Sequence, residues 1–174
     1  MPTNEKYYKA WMGGGGCFAM PLAEWREEAS ALEDSYPTID SLPFQVSYLY
    51  TSVMQHELDL FSRVHLHSGD EEEKIPAVLI GAVPDDQDVL FLFDLKAGTV
   101  INIDLQEPIP EVVNSSLRQF ALFLYELSLY FSVDEGESHC AERAASLRRR
   151  LREIDPQAFT DPDSWWSIAL GVLE

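Results

Sequence analysis

The chain has 174 residues, of which 46% are hydrophobic, and its 30 acids and 12 bases give a formal net charge of -18. This length suits one domain, and the apolar fraction excludes disorder over most of it. A surface this negative repels phosphate backbones and anionic lipids, so we expect neither direct nucleic-acid binding nor membrane binding.

Residues 1–57 carry the weakest structural pattern. The glycine run Gly13–Gly16 lacks the Gly-Lys-Ser/Thr continuation of a phosphate-binding P-loop and is interpreted as a loop. A proline followed by apolar residues at helical spacing predicts a helix over Leu22–Leu32. Extended segments are predicted over Phe44–Tyr50 and, from alternating apolar and polar residues, over Leu58–Leu66.

The middle of the chain has the pattern of a sheet. Apolar runs predict strands over Ala77–Val83, Val89–Leu95 and Thr99–Leu105. Between them, a proline and three aspartates predict a turn over Pro84–Asp88, and a glycine that can adopt positive φ predicts a hairpin turn over Lys96–Gly98. Strands joined by connections this short must be antiparallel.

Three helices are predicted after these strands. Ser116 followed by Gln119 resembles a capping box, and the helix that follows, to about Phe131, is apolar nearly all round and should lie centrally on the sheet. A second helix is predicted over His139–Ile154, and a third from Asp161, where an aspartate precedes a proline. The third helix is predicted to carry one apolar face that consists of Trp165, Ile168, Ala169 and Val172. Strands followed by helices indicate an α+β fold with a single, mostly antiparallel multistranded sheet backed by helices.

Negative charge is unevenly distributed along the chain. Residues 1–138 hold 24 acids and 7 bases, whereas residues 139–174 hold 6 acids and 5 bases, all arginines of the second predicted helix. An isolated basic helix on an acidic body is a poor phosphate binder. We therefore predict that these arginines pair with acids of the same chain or form a solvated face.

The cysteines and the N-terminus bear on cellular location. Cys17 and Cys140 lack CxxC spacing, so we expect free thiols rather than a disulfide or a zinc site. The N-terminus lacks the basic and apolar regions of a signal peptide, and no apolar run approaches the ~20 residues that span a bilayer. These features predict a cytoplasmic protein.

The histidines suggest one alternative function, that of a metal-dependent enzyme. His65 and His67 lie two apart on a predicted strand, so both imidazoles would point to one side, and Asp70 or Glu71 could complete a metal site. The chain contains no HExxH, GxSxG or GxGxxG motif. We therefore predict a protein that is not an enzyme, with no catalytic residue, no cofactor and no metal.

Four short segments carry a family resemblance: Gly98–Asp104, Val112–Phe120, Ile154–Phe159 and Asp163–Trp166. They resemble the SUKH superfamily of Smi/Knr-like proteins, particularly its fourth immunity-protein group. The resemblance covers residues 58–174 as a SUKH-like core, and residues 1–57 have no counterpart in it. We expect residues 1–174 to form a single domain.

This resemblance implies the SUKH fold and the function of a bacterial immunity protein, which binds and neutralises a polymorphic toxin, often a nuclease or a deaminase. A regulatory or scaffold module on the same fold is an alternative, and the oligomeric state stays open. Toxins that act on nucleic acid present cationic clefts, which an acidic protein can occupy. The predicted partner-binding residues are Asp70, Glu71, Glu72, Glu73, Asp85, Asp86, Asp88 and Trp166. The alternative interpretation makes these acids ordinary solvated loop residues and the tryptophan part of the core.

Overall fold

A computed structural model describes residues 2–11, 16–28, 33–55, 58–67, 74–133 and 140–173. The helices are α1 (Asn4–Trp11), α2 (Leu22–Glu28), α3 (Leu117–Ser132), α4 (Cys140–Ile154) and α5 (Trp165–Gly171). The strands are β1 (Cys17–Ala19), β2 (Ser41–Pro43), β3 (Gln45–Val46), β4 (Tyr50–Thr51), β5 (Arg63–His67), β6 (Lys74–Val83), β7 (Asp86–Asp94), β8 (Val100–Asp104) and β9 (Glu111–Asn114). Two 3-10 turns cover Glu33–Ser35 and Pro156–Phe159.

Seven strands form one antiparallel sheet in the order β3-β4-β6-β7-β8-β9, with β5 also paired to β6. Strand β6 is long enough to pair with β5 through its first half and with β4 at Ala82. Strands β1 and β2 form a separate two-stranded ribbon. The predicted α+β fold, with a large antiparallel sheet backed by helices, is confirmed.

The large sheet buries apolar residues on both faces, which explains why its central strands are almost continuously apolar. The hydrophobic cluster on the face that packs against the helices includes, among other sheet residues, Val78, Ile80, Phe91, Phe93, Val100 and Val113. The cluster on the opposite face contains Ala77, Leu79, Ala82, Leu90, Leu92, Ile101 and Ile103. Helix α3 contributes Phe120, Phe123 and Leu127 to the first cluster, each fully buried. It therefore has the central position that its all-round apolar sequence predicts.

Side chains hold both ends of α3. At its start, the Ser116 hydroxyl accepts a hydrogen bond of 3.2 Å from the Gln119 backbone N–H, as predicted for an N-cap. The Gln119 side chain accepts from the same hydroxyl and donates to a carbonyl at the end of α4. At the other end, Arg143 donates to the carbonyl oxygens of Tyr130 and Val133 at 2.6 and 2.8 Å.

The arginines of α4 make contacts within their own chain. The Nε of Arg150 lies 2.8 Å from a carboxylate oxygen of Glu126 on α3. The guanidinium of Arg152 lies 5.5 Å from the ring centre of Phe159. The Arg150–Glu126 pair agrees with the prediction that these arginines pair with acids of the same chain, whereas Arg143 caps α3 and Arg152 contacts an aromatic ring.

The prediction for the last helix is wrong in its start, and the predicted apolar face is not the face that is buried. Helix α5 begins at Trp165 with Ser164 as N-cap, because Asp161 instead accepts a 2.9 Å hydrogen bond from the Asp163 N–H within a preceding turn. The buried residues are Trp166, Ala169 and Leu170. Ile168 and Val172, which belong to the predicted apolar face, are 59% and 73% exposed.

Several other predicted segments have different bounds in the structure. The segment Phe44–Tyr50 contains a turn between β3 and β4, with Ser47 at a φ of 48°. Phe61, at a φ of 68°, interrupts Leu58–Leu66, so β5 begins only at Arg63. The predicted turn Pro84–Asp88 is reduced to two residues. Residues 29–32 of the helix predicted to Leu32 lie outside the described residues.

Candidate partner-binding surface

One end of the large sheet brings together three of the predicted partner-binding residues. Asp85 lies in the β6–β7 turn, and Asp86 and Asp88 lie at the start of β7. Because β7 and β8 are antiparallel, the loop after β8 leaves the sheet at this same end. Two contacts join turn and loop: the Leu105 N–H donates to the Asp88 carbonyl at 3.0 Å, and the Gln106 amide donates to the Asp88 carboxylate at 2.9 Å.

Five carboxylates gather there, and we call this group the acidic end of the sheet: Asp85, Asp86, Asp88, Asp104 and Glu107. Asp85, Asp86 and Glu107 are exposed, and the other two are half-buried. From Gly81 to Leu117, Lys96 is the one basic residue of the sequence. It lies in the β7–β8 turn at the opposite end of β7, roughly 27 Å away for a strand of this length. Within this stretch of chain, no lysine or arginine therefore lies beside these carboxylates.

The same loop and the start of β9 expose apolar side chains that the sequence pattern did not single out. Leu105, Ile109 and Val112 are 48%, 78% and 56% exposed, and we call them the apolar strip. Val112 pairs with Ile101, so its side chain points to the sheet face opposite the helices. The signal available in the sequence was an isoleucine between two prolines, in a segment that is otherwise polar.

An open hollow of about 610 Å³ adjoins the apolar strip at Val112. Its lining residues are Glu111, Val112, Gln157, Thr160, Asp161, Asp163 and Ser164. One carboxylate oxygen of Glu111 accepts a 2.7 Å hydrogen bond from the Trp165 backbone N–H, which joins β9 to the start of α5. Asp161 and Asp163 are exposed at the rim. Val112 is thus the one apolar residue among the seven that line the hollow, and three of the others carry carboxylates.

Five other residues were predicted to bind a partner, and the structure describes one of them, Trp166. Asp70, Glu71, Glu72 and Glu73 lie outside the described residues. The described residues nearest to them, His67 and Lys74, pair with each other at the end of β6 opposite the β6–β7 turn.

Trp166 is only 1% exposed, so the structure corrects its predicted role as a surface anchor. Its indole nitrogen donates a 3.0 Å hydrogen bond to Oδ1 of Asn114 inside the core. The neighbouring Trp165 is half-buried and packs edge-on against Phe91, with ring centres 5.4 Å apart. Neither indole is available as a protruding contact.

Most side chains of the alternative metal site lie outside the described residues. His65 is exposed on β5, but the side chain of His67 and all of Asp70 and Glu71 lie outside the described residues. Within the described ranges, no three His, Cys, Asp or Glu residues are grouped so that they could hold a metal ion.

Two candidate nucleophiles, Cys17 and Ser115, have surroundings that do not activate them. Burial raises the pKa of the Cys17 thiol to about 11, so at neutral pH it is a thiol rather than a thiolate. The Ser115 hydroxyl donates to the buried Asp155 carboxylate at 2.7 Å. This serine therefore has a structural partner, which connects the start of α3 with the end of α4.

A family model described as SUKH-4 immunity protein matches residues 23–173. The match confirms the resemblance that the motifs suggested, and it includes residues 23–57, for which those motifs gave no counterpart. No curated protein and no solved structure matches the chain. Within the described part of the chain, no helix is long and apolar enough to cross a membrane.

Proposed function

The chain belongs to the SUKH-4 immunity protein family, and on this premise we propose that it binds a cognate protein toxin and neutralises it by direct contact. The family match over residues 23–173 is the observation that carries the proposal. Binding requires no chemical step from this chain. The unactivated thiol of Cys17 is consistent with such a role.

The charge distribution supports an electrostatically steered association. A net charge of -18 attracts a basic toxin from a distance, and the acidic end concentrates exposed carboxylates on one part of the surface. Toxins that act on nucleic acids need cationic clefts for phosphate, so we propose a nuclease or a deaminase as the target. Asp85, Asp86 and Asp88 would contribute to this field, and so would the segment of Asp70, Glu71, Glu72 and Glu73.

The proposed role predicts that a toxic domain is encoded next to this gene, and neutralisation is tested with that domain. Co-expression with this chain should restore growth of cells that produce the domain, and the two purified proteins should form a complex. A complex without growth rescue would favour the alternative of a regulatory or scaffold module. Failure of both would remove the proposal.

Electrostatic steering is tested by reversing charge in two places. The variant Asp85→Lys/Asp86→Lys/Glu107→Lys changes the three exposed carboxylates of the acidic end, and Glu24→Lys/Glu27→Lys/Glu153→Lys changes net charge equally at exposed positions elsewhere. We expect the first variant to associate about tenfold more slowly at low salt and the control to change less. The difference should shrink at high salt because exposed charges are screened. Equal rates for both variants would exclude a special role for this end.

A further inference from the structure

We infer that the apolar strip of Leu105, Ile109 and Val112 is the contact centre on which a basic protein partner docks. This inference rests on the proposed function and deepens it by naming a surface and the chemistry of its partner. Three large apolar side chains that are 48–78% exposed lie within eight residues of chain, and grouped exposed apolar residues mark interaction sites. Packing in the core does not explain these three residues, because Ile101 and Ile103 belong to the buried cluster on this face and the three residues do not.

The loop that carries the strip is held in place before any partner arrives. The Leu105 N–H is bonded to Asp88, the Gln106 N–H to the Asp104 carboxylate at 2.8 Å, and the Ile109 N–H to the Glu107 carbonyl at 2.7 Å. Prolines on both sides of Ile109 restrict the backbone further. A preorganised loop loses little conformational entropy on binding, which favours affinity.

The charges around the apolar strip indicate which kind of partner binds there. The strip runs between the acidic end on one side and Glu111, Asp161 and Asp163 on the other, and residues 97–117 contain no lysine or arginine. Lysine and arginine side chains have apolar stems and charged tips. Their stems can lie on the strip while their tips reach the carboxylates on either side. A partner segment that presents basic residues around an apolar one therefore matches this surface.

The same charges argue against a second copy of this chain as the occupant. A two-fold symmetric contact through the strip would bring the acidic end of one molecule close to that of the other. Like charges placed together in an interface are repulsive and oppose such a dimer. The hollow beside Val112 also provides concave space for a side chain of a different protein.

The test uses the purified toxic domain encoded next to this gene and measures its Kd by calorimetry. Ile109→Arg and Val112→Arg each place a bulky cation on the strip. Leu129→Arg on α3 is the matched control, because Leu129 is also apolar and 39% exposed but lies on the helix side. We expect the two strip variants to bind at least roughly 30-fold more weakly and the control to stay within about threefold. Circular dichroism and urea unfolding should show all three variants folded.

The milder variant Ile109→Ala is included because it introduces no charge and is less disruptive to folding. It should still weaken binding about tenfold. If the wild-type chain binds and Ile109→Arg and Val112→Arg bind with the same Kd, this inference is overturned while the proposed function stays intact. No binding by the wild-type chain would overturn the proposed function and this inference with it. Concentration-dependent dimerisation that Ile109→Arg abolishes would identify the occupant as a second copy and also reject the proposal.

Discussion

The Trp166 indole donates a 3.0 Å hydrogen bond to the side chain of Asn114, a residue 52 positions earlier. Both residues are buried, and the Asn114 amide donates in turn to the Asp155 carboxylate at 3.0 Å. This chain of contacts connects the last strand of the sheet with α5 and with the end of α4. Buried polar groups that are satisfied in this way fix one arrangement of the surrounding elements.

Removal of the Asp155 carboxylate should destabilise the fold strongly. Asp155→Ala leaves the Asn114 amide and the Ser115 N–H without their acceptor, and we expect a loss of about 3 kcal/mol in the free energy of unfolding. Asp155→Asn, which retains one acceptor oxygen, should lose roughly 1 kcal/mol. Urea denaturation measures both, with the exposed Glu153→Ala as a control. Equal stability of Asp155→Ala and the control would contradict the structural role assigned to this network.

Gly81 should tolerate no side chain. It lies at a bulge in β6 with a φ of 157°, and a Cβ there would be 2.3 Å from a ring carbon of Tyr50 and 2.7 Å from the Thr51 carbonyl oxygen. The backbone contact cannot be relieved by a side-chain rotation. We expect Gly81→Ala to lower the free energy of unfolding by roughly 3 kcal/mol, whereas Gly171→Ala, which meets nothing within 4 Å, should change it little. Thermal unfolding of the two variants provides the comparison.

Helix α1 should contribute to stability although it lies before the family match. Tyr7 is fully buried and stacks on Tyr125 of α3 with ring centres 6.0 Å apart, whereas the adjacent Tyr8 is 39% exposed. Tyr7→Ala should cost about 3 kcal/mol through lost packing, and Tyr8→Ala, the matched control, less than about 1 kcal/mol. Chemical denaturation monitored by tryptophan fluorescence distinguishes them. Similar values for both variants would show that α1 does not pack as described.

The fold should lose stability in alkali. Burial raises the pKa of Tyr7 and Tyr50 well above their ordinary value of 10.0, so the folded state retains protons that the unfolded state releases. This contribution is complete below pH 10.0 and is lost as the pH rises above that value. Urea denaturation across this range should show a declining free energy of unfolding, with tyrosinate absorbance appearing as the protein unfolds. Tyrosinate from all seven tyrosines in the folded protein would refute the burial of these two.

Cys17 should react slowly with alkylating reagents. Burial raises its pKa from 9.0 to about 11, which lowers the thiolate fraction, while the greater nucleophilicity of the more basic thiolate offsets part of this loss. At about pH 8 we expect iodoacetamide to modify native Cys17 roughly tenfold more slowly than the unfolded chain. A Cys140→Ser background allows the rate to be assigned to Cys17. Equal rates in buffer and in denaturant would contradict the raised pKa.

Parts of the fold that depend on local chemistry were predictable. The hairpins followed from proline, aspartate and glycine between apolar runs, and the start of α3 followed from Ser116, whose hydroxyl bonds a residue only three positions away. The start of α5 was missed because Asp161 has two possible local partners, a helix or a turn, and the sequence does not decide between them. Of the binding surface proposed here, Asp85, Asp86 and Asp88 were selected from the sequence, and whether they bind a partner stays a prediction.

The sequence determined that strands joined by short connections are antiparallel and that α3 is apolar nearly all round. Both properties depend on residues that are close along the chain. The tertiary structure alone decided that Trp166 turns inward to Asn114, since their contact crosses 52 positions and requires β9 and α5 to be adjacent. It alone decided that Leu105, Ile109 and Val112 stay exposed, because exposure depends on what other segments cover. The sequence supplied the total charge, and the antiparallel pairing of β7 and β8 brought part of that charge to one end of the sheet beside those apolar side chains.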